Sequence, residues 1–426
     1  MANATQQNNP RFYPWLIWAL GAAFFFSEYF ARVAPSVMVP QLMQSFHVKA
    51  LALGSLSAFF YWTYVLMQIP VGGLVDRYGT HKLLTVSAGL CALSCFMFAF
   101  SHTLFIAELG RLFLGFGASF AFVGALKLAT VWFPASRFGL LAGLTQALGM
   151  LGAAVGEGPI SVSVAVIGWR PTMLFMGIAL AILAVLIGVV VKDPPTTHPT
   201  HSNNVKTAEI IRGLKIIFRN SQTWWNGLYV GLLYAPTAAF AELWGVSYLV
   251  RTYNLHEETA ATAVSLIFIG WGLGGPLIGW MSDRMRKRRP LMLWSAIASL
   301  ATMGIVLYAA HLPTSVLFVL LFLYGVANTG VATGYAVSAE INPRPVTGIS
   351  IAFSNMASVI VGAAFQPIIG AILDAYWDGK MVNGIPFYSA HAFRVAMLTL
   401  PICLFFAIIT TFKVRETHCR VYEELQ

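Results

Sequence analysis

Twelve long apolar runs separated by short polar stretches set the pattern of this chain. They fall near residues 13–38, 51–75, 83–100, 104–133, 139–166, 172–191, 224–250, 260–282, 290–310, 314–341, 348–374 and 392–412. A helix that crosses a bilayer needs about 20 mostly apolar residues. The pattern therefore predicts an all-α membrane protein with twelve transmembrane helices. The first run is not expected to be a cleaved leader. It is long, carries Glu28 and Arg32, and lacks a basic leader followed by a small-residue cleavage site.

The longest polar stretch, 192–222, opens with Asp193-Pro194-Pro195 and reads as a loop by composition. Within it Ile210, Ile211, Leu214, Ile217 and Phe218 share one helical face, while Arg212, Lys215 and Arg219 fall elsewhere. That spacing predicts a short amphipathic helix lying on the inner leaflet. The stretch splits the chain into an N-terminal six-helix bundle (1–191), a cytoplasmic linker (192–222) and a C-terminal six-helix bundle with a cytoplasmic tail (223–426).

Composition agrees with the pattern. Of 426 residues, 58% are hydrophobic and 10% charged, against roughly 25% charged in a soluble domain. That is too little polar surface for a water-soluble protein of this size, and the same figures exclude disorder. The net charge of +10 would raise nucleic acid as a partner on a soluble chain. Here the basic residues flank the spans on one side. With the N-terminus inside, 18 of the 26 Lys and Arg lie on the cytoplasmic side, 5 on the other and 3 within spans. This predicts both termini in the cytoplasm of a bacterial inner (cytoplasmic) membrane and no nucleic-acid partner. Cys91, Cys95, Cys403 and Cys419 show no metal-like or disulfide-like spacing, so they read as packing residues, with no metal and no cofactor expected.

The two halves repeat one another. Phe26-Ser27-Glu28 in span 1 matches Phe240-Ala241-Glu242 in span 7 at an offset of 214. Gly72-x-x-x-Asp76-Arg77 matches Gly279-x-x-x-Asp283-Arg284 at 207, and Pro134 and Gly139 match Pro343 and Gly348 at 209. Three matches in one order argue for a duplicated six-helix unit, with a substrate site at midplane between the halves. The stretch from Gly72 to Lys82, with its Asp76-Arg77 core, resembles the loop 2–3 signature of the major facilitator superfamily. Gly279 to Arg284 resembles its second-half counterpart. The first copy departs from the family pattern at Thr80 and His81, the second at Arg286. Arg111-Leu-Phe-Leu-Gly115-Phe-Gly117 is similar to the family's span-4 Arg/Gly motif. Arg32-Val-Ala-Pro35-Ser-Val-Met38 and Ala241-Glu242-Leu-Trp244-Gly-Val resemble the phagosomal nutrient transporter group of intracellular bacterial pathogens. The resemblance implies two pseudosymmetric bundles that expose a central site to each side in turn, and a conformational switching role for the doubled signature.

Ionisable side chains inside a bilayer cost roughly 2.5–3.5 kcal/mol each at a helix centre, so they are candidate functional groups. Glu28 lies about 22 Å along span 1, near midplane, and Arg32 follows one turn later on the same face. The two are expected to pair, with Glu28 protonatable and Tyr29 beside them. Glu242 has no basic residue one turn on and is expected to be an unpaired proton carrier, in a helix interrupted by Gly231 and Pro236. Glu28 and Glu242 are thus the proton-coupling candidates. Substrate-binding candidates are Tyr29, Arg32, Tyr61, Tyr64, Lys127, Gln146, Asn328 and Asn355. Gln146, Asn328, Asn355 and Gln366 serve equally as interhelical hydrogen-bonding groups, and Tyr61 or Tyr64 can stack on a planar substrate. Glu108, Arg111 and Glu157 are expected to form an outer charge cluster that opens and closes. Gly72, Asp76, Arg77, Gly279, Asp283 and Arg284 are gating candidates. In their turns the glycines let helix ends approach, and the carboxylates cap a helix N-terminus or pair with an arginine, Arg137 and Arg344 being available.

These readings converge on a secondary active transporter, not an enzyme. It would be a monomer that imports a small polar nutrient, an amino acid or a nucleoside, with protons, surrounded by membrane lipids. An exporter of drugs or siderophores is the alternative within the class. A membrane enzyme would show a constellation such as His-Glu-x-x-His, an ATP-driven pump a Gly-x-x-x-x-Gly-Lys-Ser/Thr loop, and the sequence has neither. A channel filter repeats around an axis, whereas this chain is duplicated twofold.

Overall fold

Each apolar run is a helix in the computed structural model, which describes residues 12–192, 207–309 and 311–420, with backbone alone at Asp76, Ala135 and 207–210. Among these residues eleven helices are long and apolar enough to cross a membrane: Tyr13–Phe46, Ala50–Met67, Thr80–Ala99, Leu104–Trp132, Phe138–Ile167, Trp169–Val190, Glu257–Met285, Arg289–Tyr308, Thr314–Glu340, Arg344–Ala375 and Ala390–Thr411. They are spans 1–6 and 8–12. Span 7 is helical throughout but built in three consecutive pieces, Ser221–Pro236, Thr237–Trp244 and Gly245–Tyr253, with a π-helix in the middle. Twelve transmembrane helices result. Side chains such as Leu66, Val166 and Val189 stand exposed on the outside, as a lipid-facing surface requires.

Several limits differ from the apolar pattern. Span 1 passes through a 3-10 turn, Ala34–Met38, and continues as helix to Phe46. Gln41, Gln44 and Ser45 end the apolar run without ending the helix, because backbone hydrogen bonding does not depend on side-chain polarity. Span 2 stops at Met67, and a separate short helix, Pro70–Tyr78, carries the Gly72–Arg77 signature. Span 10 shifts axis at Thr329. The linker forms the expected helix, Thr207–Arg219. Ile211, Ile216 and Phe218 are exposed apolar groups on it, and Arg212, Lys215 and Arg219 are exposed too. Residues 193–206 and the side chain of Asp76 lie outside the described residues.

Packing falls into two sets. Span 1 packs on 4 and 5, span 3 on 4 and 6, and span 2 on 4. In the second half span 7 packs on 11 and 12, span 8 on 10, and span 9 on 10 and 12. Spans 2 and 11, and spans 5 and 8, join the sets. Four of the five pairings recur, 1–5 as 7–11, 2–4 as 8–10, 3–4 as 9–10 and 3–6 as 9–12, in keeping with the repeat. Tyr13 donates to the Val190 carbonyl (2.8 Å) and Gln222 to that of Lys413 (3.2 Å), so both ends of the described chain share one face, called here the terminus face.

The halves meet differently at the two faces. On the opposite face, Asp374 at the end of span 11 accepts the backbone N–H groups of Ala50 (3.1 Å) and Leu51 (3.0 Å), capping span 2 across the divide, and Tyr388 donates to it at 2.5 Å. A hairpin, Met381–Val382 with Ile385–Pro386, closes over the same region. Its Asn383-Gly384 tip has positive φ at both positions, the geometry of a two-residue turn that Asn-Gly favours, and the Asn383 carbonyl accepts from Gln44 (3.3 Å). A Cβ at Gly54 would lie 2.5 Å from the Gln366 carbonyl, and one at Gly370 2.4 Å from that of Ala50. Toward the terminus face, Cβ atoms at Gly72, Gly139, Gly279 and Gly348 would meet nothing within 4 Å. The halves are joined by backbone contacts at the opposite face, while these four glycines near the terminus face make no such contact.

Candidate functional site

Two broken helices build the centre. In span 1, Pro35 has no N–H to give the carbonyl of Ala31, and the helix tightens there into its 3-10 turn. Arg111 from span 4 supplies the missing donors. Its guanidinium reaches the carbonyls of Ala31 (3.4 Å), Arg32 (3.2 Å) and Ser57 (3.3 Å). In span 7, Pro236 opens the ladder likewise and the π turn follows. Asn328 clasps that break, donating to the Leu233 carbonyl (2.8 Å) and accepting from Thr237 (3.0 Å). Each break turns one charged side chain toward the divide between the halves.

Those side chains are Arg32 and Glu242. Nε of Arg32 donates to Oε2 of Glu242 at 3.1 Å, and Nη2 to Oε1 at 3.2 Å. Arg32 is 2% exposed and Glu242 is fully buried. Tyr234 donates to Oε1 of Glu242 (2.6 Å) and accepts from Arg32 (3.0 Å). Tyr61 also donates to Glu242, and Gln366 to Tyr61 (3.3 Å). Four rings surround the guanidinium, with centroids at 5.0 Å for Tyr29, 5.4 Å for Phe60, 5.0 Å for Tyr61 and 5.8 Å for Tyr64. Such faces stabilise a cation that has lost its water. Beside the pair is a cavity of about 20 Å³ bounded by Tyr29, Met150, Tyr234, Thr237, Phe268 and Trp271, room for about one water.

This geometry corrects the expected pairing. Arg32 turns to Glu242 of the other half and not to Glu28 one turn back. Glu242 is therefore paired, and it is Glu28, 1% exposed, whose two carboxylate oxygens have no hydrogen-bond partner. The cross-bundle pair is bidentate, and Tyr234 bonds both of its members. The expected outer cluster does not assemble either. Arg111 is engaged by carbonyls, Glu157 accepts from Ser36 (2.6 Å), Glu108 is half-buried, and no ion pair links the three. Asn328 is filled by protein partners and acts as a helix clasp. Asn355 bridges the halves, donating to Gln68 (2.7 Å) and accepting from Tyr335 (3.0 Å). Lys127 and Gln146, both half-buried, stand in the terminus-ward parts of spans 4 and 5.

In the second signature Asp283 accepts from Arg288 (2.8 Å), while Arg284 lies over the ring of Trp280 (5.8 Å). Arg288 also donates to Glu340 (2.7 Å). The tail closes this network: Thr417 donates to Glu340 (2.5 Å), and Glu416 accepts the N–H groups of Arg288 (2.8 Å) and Arg289 (2.9 Å). Burial alone would raise the Glu416 carboxyl, but these N–H donors hold it below its ordinary value. In the first signature, Arg77 lies over the Tyr78 ring (5.3 Å). The sequence reading missed Tyr234, Asp374, Arg288 and Glu340. Pro236, two positions after Tyr234, was the available signal for the first; the others sit at helix ends, where polar residues are ordinary.

A family model described as Major Facilitator Superfamily matches residues 20–250 and 243–420. The chain belongs to the major facilitator superfamily. It is a multi-pass membrane transporter and not an enzyme. Among its relatives is the uncharacterized transporter YybO of Bacillus subtilis, 25% identical over 386 residues, 85% of this chain and 87% of that protein. Another is the probable sulfoacetate transporter SauU of Cupriavidus necator, 26% identical over 276 residues, 62% of this chain and 64% of that protein. Among solved structures, a bacterial homologue of the human lysosomal transporter Spinster, inward-facing and occupied, superposes with a TM-score of 0.77 at 13% identity, over 95% of this chain and 97% of that one. That likeness is one of fold.

Proposed function

We propose that this transporter carries a small carboxylate-bearing solute inward together with protons, by alternating access of two bodies, residues 1–191 and 223–426. The observation that carries the reading is the buried Arg32–Glu242 pair. Among the described residues the Arg32 guanidinium, unlike that of Arg111, has no carbonyl to accept from it and is walled by rings, so removing the anion beside it costs several kcal/mol. Ionised Glu242 is that anion in this structure, and the substrate takes the role in the loaded state. When Glu242 takes a proton it lets go of Arg32, and a substrate carboxylate takes its place. Proton and anion thus enter together, which is symport. Glu28 is the second carboxylate at the same depth and shares the proton load.

Arg32 favours an amino acid over a nucleoside among nutrients, since a nucleoside has no anionic group. The SauU likeness points the same way, sulfoacetate being an organic anion. Import is the direction implied by the resemblance to phagosomal nutrient transporters. The excess of Lys and Arg on the terminus face supports a cytoplasmic side of an inner membrane for that face. The Gly72–Arg77 and Gly279–Arg284 segments then lie at the cytoplasmic helix ends and serve the switching between states.

Proteoliposomes with an imposed pH gradient test the coupling. Wild type accumulates the solute. Glu242→Gln retains exchange at symmetric pH and loses gradient-driven accumulation. Equal accumulation by both proteins would remove Glu242 from the coupling role.

A further inference from the structure

Glu157 in span 5 is fully buried, and the central mechanism does not use it. It sits where three elements meet. On one side of it, a Cβ at Gly156 would touch Val33 and the Phe30 carbonyl of span 1. On the other, a Cβ at Gly158 would lie 3.7 Å from Ser265 of span 8. One carboxylate oxygen accepts from Ser36 at 2.6 Å, and the other has no partner. No cation compensates it. Arg32 is held by Glu242, Arg111 by the carbonyls of Ala31, Arg32 and Ser57, and Arg170 by those of Ala99 and Ser101. Glu257 and Glu258 of span 8 are exposed at the opposite face, and Glu108 of span 4 is half-buried. A dry carboxylate with one neutral donor and no cation is a group built to hold a proton.

Ser36 gives that proton a route. It lies one turn beyond Arg32 and lines a cavity of about 200 Å³ at the opposite face, walled also by Trp244, Ser247, Arg251, Glu257 and Tyr388. The far wall belongs to the second half, so parting the halves at this face uncovers Ser36 and, behind it, Glu157. Glu28, Arg32 and Ser36 follow one another along span 1 from the centre toward this cavity, Ser36 within the 3-10 turn.

We infer that Glu157 and Ser36 form a second proton-holding site, loaded from the opposite-face cavity and separate from the Arg32–Glu242 exchange. Because this rests on the proposed proton coupling, its test keeps the two apart. Uptake into proteoliposomes is measured against external pH at fixed internal pH, for wild type, Glu157→Gln and Ser36→Ala. In wild type uptake falls as external pH rises. Glu157→Gln loses the phase of that external-pH dependence set by Glu157 and keeps the phase set by Glu242, while symmetric exchange persists. Ser36→Ala keeps the carboxylate but removes the donor that favours its ionised form, so the midpoint moves to higher external pH. Wild-type midpoints in both variants would overturn the Glu157 site and leave Glu242 untouched. The same holds if sodium replaces the proton in setting the Glu157-dependent phase. A wild type indifferent to the pH gradient would instead overturn the coupling itself.

Discussion

Arg32 is held by a planar fork of two bonds to one carboxylate and by ring faces on several sides. A lysine in its place is a point donor that makes one such bond and stacks less well. Arg32→Lys is expected to weaken solute binding by ~10-fold, about 1.4 kcal/mol, while the protein still folds. Titration calorimetry reads this directly, and unchanged affinity would place the anion elsewhere. Arg32, Glu28 and Glu242 were legible in the sequence because a charge inside an apolar run stands out. Their partners were not. Helical spacing reports neighbours on one helix, and so it paired Arg32 with Glu28. The bond to Glu242 exists only after two distant spans pack, and Tyr234 gains meaning only through that bond.

At the scale of the element, the breaks in spans 1 and 7 aim the charges. Pro236 announced the second, the break at Pro35 was not read from the sequence, and the groups that make both tolerable come from other spans, as Arg111 and Asn328. Asn328→Ala leaves the Leu233 carbonyl and the Thr237 hydroxyl short of partners. An unsatisfied buried polar group costs about 1–3 kcal/mol. The variant should melt at lower temperature and bind solute less tightly, because the π turn that presents Glu242 is no longer clasped. Loss of stability with unaltered binding would make Asn328 a packing residue alone. Apolar periodicity located all twelve helices yet missed the extension of span 1 to Phe46, because it senses lipid contact and not backbone hydrogen bonding.

The whole molecule carries two sets of glycines with opposite surroundings. Gly54 and Gly370 lie against backbone carbonyls at the opposite face, whereas Gly72, Gly139, Gly279 and Gly348 face open space. A backbone contact has no rotamer to yield, so Gly54→Ala should prop the opposite face apart. Ser247→Cys, half-buried on the wall of the cavity at that face, would then be labelled faster by a membrane-impermeant thiol reagent from that side. An unchanged labelling rate would show that the contact does not hold the face shut. The duplicated architecture was visible from three sequence matches. The state of the molecule was not, since both states satisfy the same pattern and differ only in which helix ends touch.

The claim beneath all of this is that the buried guanidinium always keeps one anion. Counting protons as solute binds the purified protein, by calorimetry in buffers of different ionisation enthalpy, tests it most directly. The account predicts proton uptake with the solute near neutral pH in wild type, smaller by about one proton per solute in Glu242→Gln, which stays permanently neutral at that position. Solute binding by wild type with no proton taken up would contradict it.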